Sequence, residues 1–168
     1  MSKAAEKKHH YKNGNVKRHG FLKKGKRTGV WHYFRKDGSL LEKQEWLKGK
    51  QHGIRVEYYK SGQISSIGQW SKGKQVGVQI DLFKSGVVKS IANYNRKGSY
   101  DGKVSYYHAN GNLDLTSDYV DGELHGEQLE YFSSGAKKSR GEWKNGEPSG
   151  VFKFWKYRKM LLDYKENR

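Results

Sequence analysis

The 168-residue chain carries 34 Lys and Arg against 17 Asp and Glu, a net charge of +17, and no cysteine. Disulfides and thiolate metal sites are excluded, and the charge points to an acidic partner before it points to any chemistry. A hydrophobic content of 33% is low for a globular domain, yet 14% aromatic residues and 21 glycines do not fit ordinary disorder; rings bury much area per residue, so a thin aromatic layer can replace a thick aliphatic core.

Met1 to His10 is polar and basic and reads as a mobile lead-in. It has no hydrophobic core of a secretory signal, and no apolar run in the chain reaches the length of a membrane span, so a soluble, cytoplasmic protein is expected. His9 and His10 would face opposite ways in an extended chain, which argues for solvation over metal binding.

From Tyr11 onward the chain is periodic. Opening glycines fall at Gly29, Gly53, Gly77, Gly102, Gly126 and Gly150. Mid-unit glycines fall at Gly14, Gly38, Gly62, Gly86, Gly111 and Gly135, and closing ones at Gly25, Gly49, Gly73, Gly98, Gly122 and Gly146. Every interval is 24 residues except one of 25, where a residue is inserted between Tyr94 and Gly98. Three glycine series in phase indicate a stacked repeat array. Residues 11–168 thus read as one repeat domain: a partial first unit over 11–28, units starting at 29, 53, 77, 102 and 126, and a modified last unit over 150–168.

Inside each unit the period is two, which predicts strands. Five residues after the opening glycine stand Phe34, Tyr58, Leu82, Tyr107, Tyr131 and Trp155, and seventeen after it stand Trp46, Trp70, Tyr94, Tyr119 and Trp143. These aromatics are expected to form one buried face per hairpin. Small residues on the second strand, such as Ser66 and Gly68, Ser90 and Ala92, or Ser139 and Gly141, would let rings of the adjacent unit lie over the backbone. The mid-unit glycines and the closing Lys-Gly, Asp-Gly and Asn-Gly pairs predict tight turns. The predicted fold is all-β, an elongated array of antiparallel hairpins of about 24 residues each. The last unit has Lys159 where a glycine is expected and is rich in apolar residues, including Phe152, Phe154, Met160, Leu161, Leu162 and Tyr164. It is expected to cap the array or to bind a partner.

The form G-x-W-x-Y-F-x-x-x-G at Gly29 to Gly38, followed by Trp46-Leu-Lys-Gly49, resembles the variant MORN (membrane occupation and recognition nexus) repeat family. The likeness spans Tyr11 to Leu162, with Arg55, Gln79 and Gln128 where an apolar residue is common, and Leu82 in place of an aromatic. The resemblance implies an array of hairpins with no active site of its own. Bacterial members are described as antitoxin or immunity proteins that pair with a secreted toxin, and other members are linked to membranes, acidic lipids and scaffolding.

No P-loop, nucleophile elbow, zincin or dinucleotide motif occurs, and the glycines read as hairpin turns. The seven histidines do not recur at metal-ligand spacing. Acid pairs such as Asp118 with Asp121, or Asp81 near Glu57, read as solvated strand positions. The chain is therefore expected to be a non-enzyme without cofactor or metal.

The charge is unevenly placed. Residues 1–84 hold 20 Lys and Arg against 6 Asp and Glu, and residues 85–168 hold 14 against 11. Much of the excess falls on closing turns: Lys23, Lys24, Lys26 and Arg27; Lys48 and Lys50; Lys72 and Lys74; Arg96 and Lys97. Equivalent turns two strands apart lie about 10 Å from each other, near one Debye length at about 0.1 M salt. The expected result is a cationic stripe about 30 Å long, by the same spacing. It could match an acidic toxin face, anionic lipid or, with exposed tyrosines as stacking platforms, nucleic acid. Turn lysines also keep a glycine-rich β-array soluble and its edges unpaired.

Overall fold

The structure, a computed structural model, describes residues 3–155. It is one antiparallel meander in which each strand pairs with the next in sequence, giving a 13-stranded sheet in the order β1 to β13. The strands are β1 (Ala5–His10), β2 (Val16–Lys23), β3 (Lys26–Phe34), β4 (Leu40–Leu47), β5 (Lys50–Tyr58), β6 (Ile64–Ser71) and β7 (Lys74–Leu82). They continue as β8 (Val88–Tyr94), β9 (Gly102–Tyr107), β10 (Leu113–Val120), β11 (Glu123–Tyr131), β12 (Lys137–Lys144) and β13 (Glu147–Phe154). The fold is the predicted all-β array, with one correction at its N-terminal end. The stretch expected as a lead-in contributes β1, with Lys8 opposite His19 and Glu6 opposite Phe21. Met160, Leu161, Leu162 and Tyr164 of the expected cap lie outside the described residues.

Two connections alternate. The mid-unit loop holds two backbone hydrogen bonds, as where Arg35 N–H donates to Ser39 O at 2.8 Å and Gly38 N–H to Arg35 O at 3.0 Å. The closing turn has only two central residues, both at positive φ: Lys24 and Gly25, Lys48 and Gly49, Lys72 and Gly73, Asp121 and Gly122, Asn145 and Gly146. That is the geometry whose twist matches the right-handed twist of the flanking strands. The residue inserted after Tyr94 converts the fourth closing turn to the mid-unit form, with Asn95 N–H on Ser99 O and Gly98 N–H on Asn95 O. Here the ladder is shortest: β8 and β9 pair through Ser90 with Tyr106 and Ile91 with Ser105, and the seam is extended by a bridge between Tyr94 and Tyr100 and by Asp101 N–H donating to Asn93 O at 2.9 Å.

The opening glycines Gly29, Gly53, Gly77, Gly126 and Gly150 sit within strands, at bulges. Between β2 and β3 the register jumps from His19 opposite His32 to Phe21 opposite Thr28, so Gly29, Val30 and Trp31 together face Gly20. Gly29 there takes φ +66°, which a β-branched residue would rarely adopt. The jump recurs around Gly53, Gly77, Gly126 and Gly150.

These bulges let each unit reach back onto the one before. Trp31 is 1% exposed and lies flat over Gly20, its Nε1–H donating to Phe21 O at 3.1 Å. Gln79 covers Gly68 and Phe152 covers Gly141 in the same way. The residue fifteen after each opening glycine is accordingly the buried one: Gln44, Gly68, Ala92, Ser117 and Gly141, with Gly20 in the first unit. Burying one indole removes about 200 Å² from water, worth about 5 kcal/mol of transfer free energy.

A second register shift, between Tyr33 and Phe34, separates the two aromatic series. Tyr33 is opposite Glu42, which shares a face with Gln44 and Trp46, while Phe34 turns the other way to stack with His32. Phe34, Tyr58, Tyr107 and Tyr131 therefore line what we call the His32 face. Trp46, Trp70, Tyr94, Tyr119 and Trp143 line the opposite, Trp31 face. The expected single aromatic face is two half-buried rows, and Trp155, 36% exposed, lies beyond the last strand.

A methyl group at Gly20 would overlap the Trp31 ring. Gly20→Ala is expected to destabilise the array by about 2 kcal/mol, read as a lowered urea midpoint at unchanged slope; an unchanged midpoint would show that the indole does not rest there.

Candidate functional site

The closing turns are stacked through the backbone. Gly49 N–H donates to Arg27 O, Gly73 N–H to Gln51 O and Gly146 N–H to Leu124 O, each at 2.9 Å, and Gly122 N–H to Tyr100 O at 2.8 Å. Each turn is thereby held against the strand leaving the previous one, which fixes a rim of side chains along one long edge. Among the described residues, Lys23, Lys24, Lys26, Lys48, Lys50, Lys72 and Lys74 are solvent-exposed and make no ion pair. The first two turns enclose a cavity of about 450 Å³ lined by Lys23, Lys24, Lys26, Thr28, Leu47 and Lys48.

Three residues expected in the stripe are placed differently. Arg27 folds onto the Trp31 face, its guanidinium 5.0 Å from the Trp31 ring centre and 4.5 Å from that of Trp46, and donates to Tyr33 Oη at 3.3 Å. Arg96 and Lys97 occupy the converted turn, where Lys97 Nζ is paired with Asp121 at 2.9 Å while Arg96 is exposed and makes no ion pair among the described residues. Beyond Lys74 some cations are matched, Lys103 with Asp118, Lys138 with Glu130 and Arg140 with Glu127 and Glu142, while Lys84, Lys89, Lys137, Lys144 and Lys153 make no ion pair among the described residues.

The Trp31 face turns polar where Trp is replaced. Arg55 bonds Glu42 at 2.9 Å and pairs with Glu57. Gln79 bonds Ser66, Asp81 and Gln75, and Ser90 donates to Asp81 at 2.8 Å. These groups bond one another along a groove of about 380 Å³, with Arg55 Nε left without a partner. The opposite edge is tied by residues that sequence reasoning missed. Tyr11 Oη donates to Phe34 O at 2.8 Å, Tyr59 Oη to Leu82 O at 2.6 Å and His108 Nε2 to Tyr131 O at 3.0 Å, and Arg35 donates to Tyr58 O. Their shared place, six after the opening glycine, was the available signal. On the His32 face His19, His32 and Phe34 stack. Burial first, then the charges of Lys43 and His19, hold the His32 imidazole below its usual pKa.

The frame, its hairpins and its turn chemistry can now be compared with known repeats. Three stretches of the chain are similar to the MORN repeat variant. They are residues 51–72, 100–121 and 124–145, each matching that family's model. Each covers a hairpin closed by a mid-unit loop, and MORN repeats are generally binding or scaffold modules. No curated protein matches the chain. The turns bearing Lys23 to Lys50 lie outside the matched stretches.

Lys24, Lys48 and Lys72 hold φ of 50° to 52°, a conformation in which asparagine and aspartate are favoured and lysine is not. Lys→Asn at each is expected to raise stability by about 0.5 to 1 kcal/mol, measured as an increase in thermal midpoint; a decrease at all three would refute the strain. A second expectation concerns pH. Unfolded His32 takes up a proton near pH 6.5 while the folded ring resists it, so the folded chain binds fewer protons. Stability then declines as pH falls below about 6.5 toward the lower folded pKa. His32→Gln should flatten that slope in urea titrations between pH 7 and 5.

Proposed function

We propose that this protein is a non-catalytic binding module that neutralises a cognate toxin by covering it, gripping an acidic toxin face with its lysine rim. The observation that carries the reading is the run of unpaired lysines from Lys23 to Lys74. Such a run adds nothing to internal stability, because like charges about 10 Å apart repel weakly across roughly one Debye length. It raises encounter rates with an oppositely charged surface and selects against basic ones. A nuclease toxin tends to be basic on its substrate side, so its acidic face would lie elsewhere on the molecule. The likeness to MORN repeats supports a binding role; the toxin as partner is our own extension.

The test is titration calorimetry against the product of the neighbouring gene, with growth protection scored in parallel. Lys23→Glu, Lys26→Glu and Lys48→Glu combined should weaken binding at least tenfold at 0.15 M salt and abolish protection. Undiminished affinity would refute the rim as the contact.

A second reading, a peripheral scaffold on anionic membranes, is favoured by the aliphatic side chains of Val30 and Leu47 exposed beside the lysines. Flotation with phosphatidylglycerol vesicles at low salt decides it, since absence of binding there removes it.

A further inference from the structure

The first two closing turns combine features that no other pair of described turns shares. Lys24 and Lys48 stand at left-handed positions that Asp121 and Asn145 fill later in the chain. The backbone gains from asparagine or aspartate at such a place, so a lysine there is explained by what its ammonium group meets outside the sheet. Between these turns lies the cavity of about 450 Å³, within the range of small ligand pockets. Its walls are the side chains of Lys23, Lys24, Lys26 and Lys48, and it also takes in Thr28 and the 49%-exposed Leu47. Phe21 and Val30, each 42% exposed, extend the apolar surface along the same His32 face.

The apolar floor occurs only once beside lysines. The counterparts of Leu47 in the following units are Ser71, then Asn95, then Val120, whose turn carries Asp121 in place of lysine. A site for a bare phosphate would offer convergent N–H donors, and a nucleic-acid track would repeat the same cations without an apolar floor at one step. Ammonium groups around an open leucine fit a different object, a bulky apolar side chain flanked by carboxylates. Interfaces are dominated by such an anchor seated in a pocket, with charges at its rim.

We infer that this cavity is the anchor pocket for an acidic partner segment, receiving one Leu or Phe side chain while acidic residues on either side engage Lys23, Lys24, Lys26 and Lys48. The inference rests on the reading of the rim as a protein-binding edge and names the place and chemistry of its contact. It also identifies the His32 face, at its lysine-bearing edge, as the side presented to the partner.

The probe is a labelled octapeptide with a Phe-Leu pair between two acidic triplets, set against its Ala-Ala analogue, in anisotropy titrations of the full chain. The Phe-Leu peptide should bind saturably and at least tenfold tighter than the analogue. Leu47→Ser should remove that difference without moving the thermal midpoint, since Leu47 is exposed. Lys24→Asn with Lys48→Asn should weaken binding at least fivefold while raising the midpoint, opposite effects that a purely structural role could not produce. Equal binding of the two peptides, or indifference to Leu47→Ser, would overturn the anchor pocket and leave the rim reading standing if the charge-reversed triple variant still loses its partner. Binding to phosphatidylglycerol vesicles without binding to either peptide would overturn it in favour of a membrane surface.

Discussion

The whole structure depends on one reach across a seam. A sheet one layer thick has no second layer against which to bury its side chains, so each hairpin must use its predecessor as the other wall. Trp31 does this by lying on Gly20, and Phe152 by lying on Gly141. The ring needs bare backbone beneath it and a kinked strand to aim it, and the bulge at the opening glycine supplies the kink. Where the ring is absent, as at Arg55 and Gln79, the seam is closed by hydrogen bonds to Glu42 and Ser66. Arg55 and Gln79 are half-buried and paired in this way, though Arg55 Nε itself has no partner.

Such a construction spreads its stability along the seams and leaves both faces and both long edges to solvent. Residues at the edges are then answerable to little but turn geometry and their surroundings. One edge is tied by side chains that donate to the next unit's carbonyls, as Tyr59 does to Leu82. The other, over its first three turns, is tied by backbone through Gly49 and Gly73, which frees its side chains there. That division explains how lysines can crowd one rim without disturbing the packing.

Much of this was legible in the chain. Glycine spacing announced the period, alternation announced strands, and small residues such as Gly141 announced rings lying over them. Periodicity alone could not reveal that opening glycines serve bulges, because a two-residue register jump leaves no mark on the spacing of glycines. Nor could parity assign the faces: the shift between Tyr33 and Phe34 reverses it midway through the unit. The rim was readable as charge, but not its limits. Arg27 has a charge like its neighbours and differs only in having Trp31 and Trp46 within reach. Lys97 differs only in meeting Asp121, a residue 24 positions away. The polar groove depended on knowing that Arg55 and Gln79 stand over the previous unit.

The short ladder between β8 and β9 has a mechanical side. Neighbouring strands elsewhere share five or six paired residues, whereas here two ladder pairs and the separate Tyr94–Tyr100 bridge hold, assisted by ring contacts of the tyrosines at 94, 100 and 119 and by the Lys97–Asp121 link. Under a pull from its two ends the ribbon would tear at this place first, leaving the strongly cationic strands as one piece and the strands richer in acidic residues as another. Under gentler load the same joint would let the two pieces bend relative to each other, so a target larger than one piece could be wrapped without either losing its internal order.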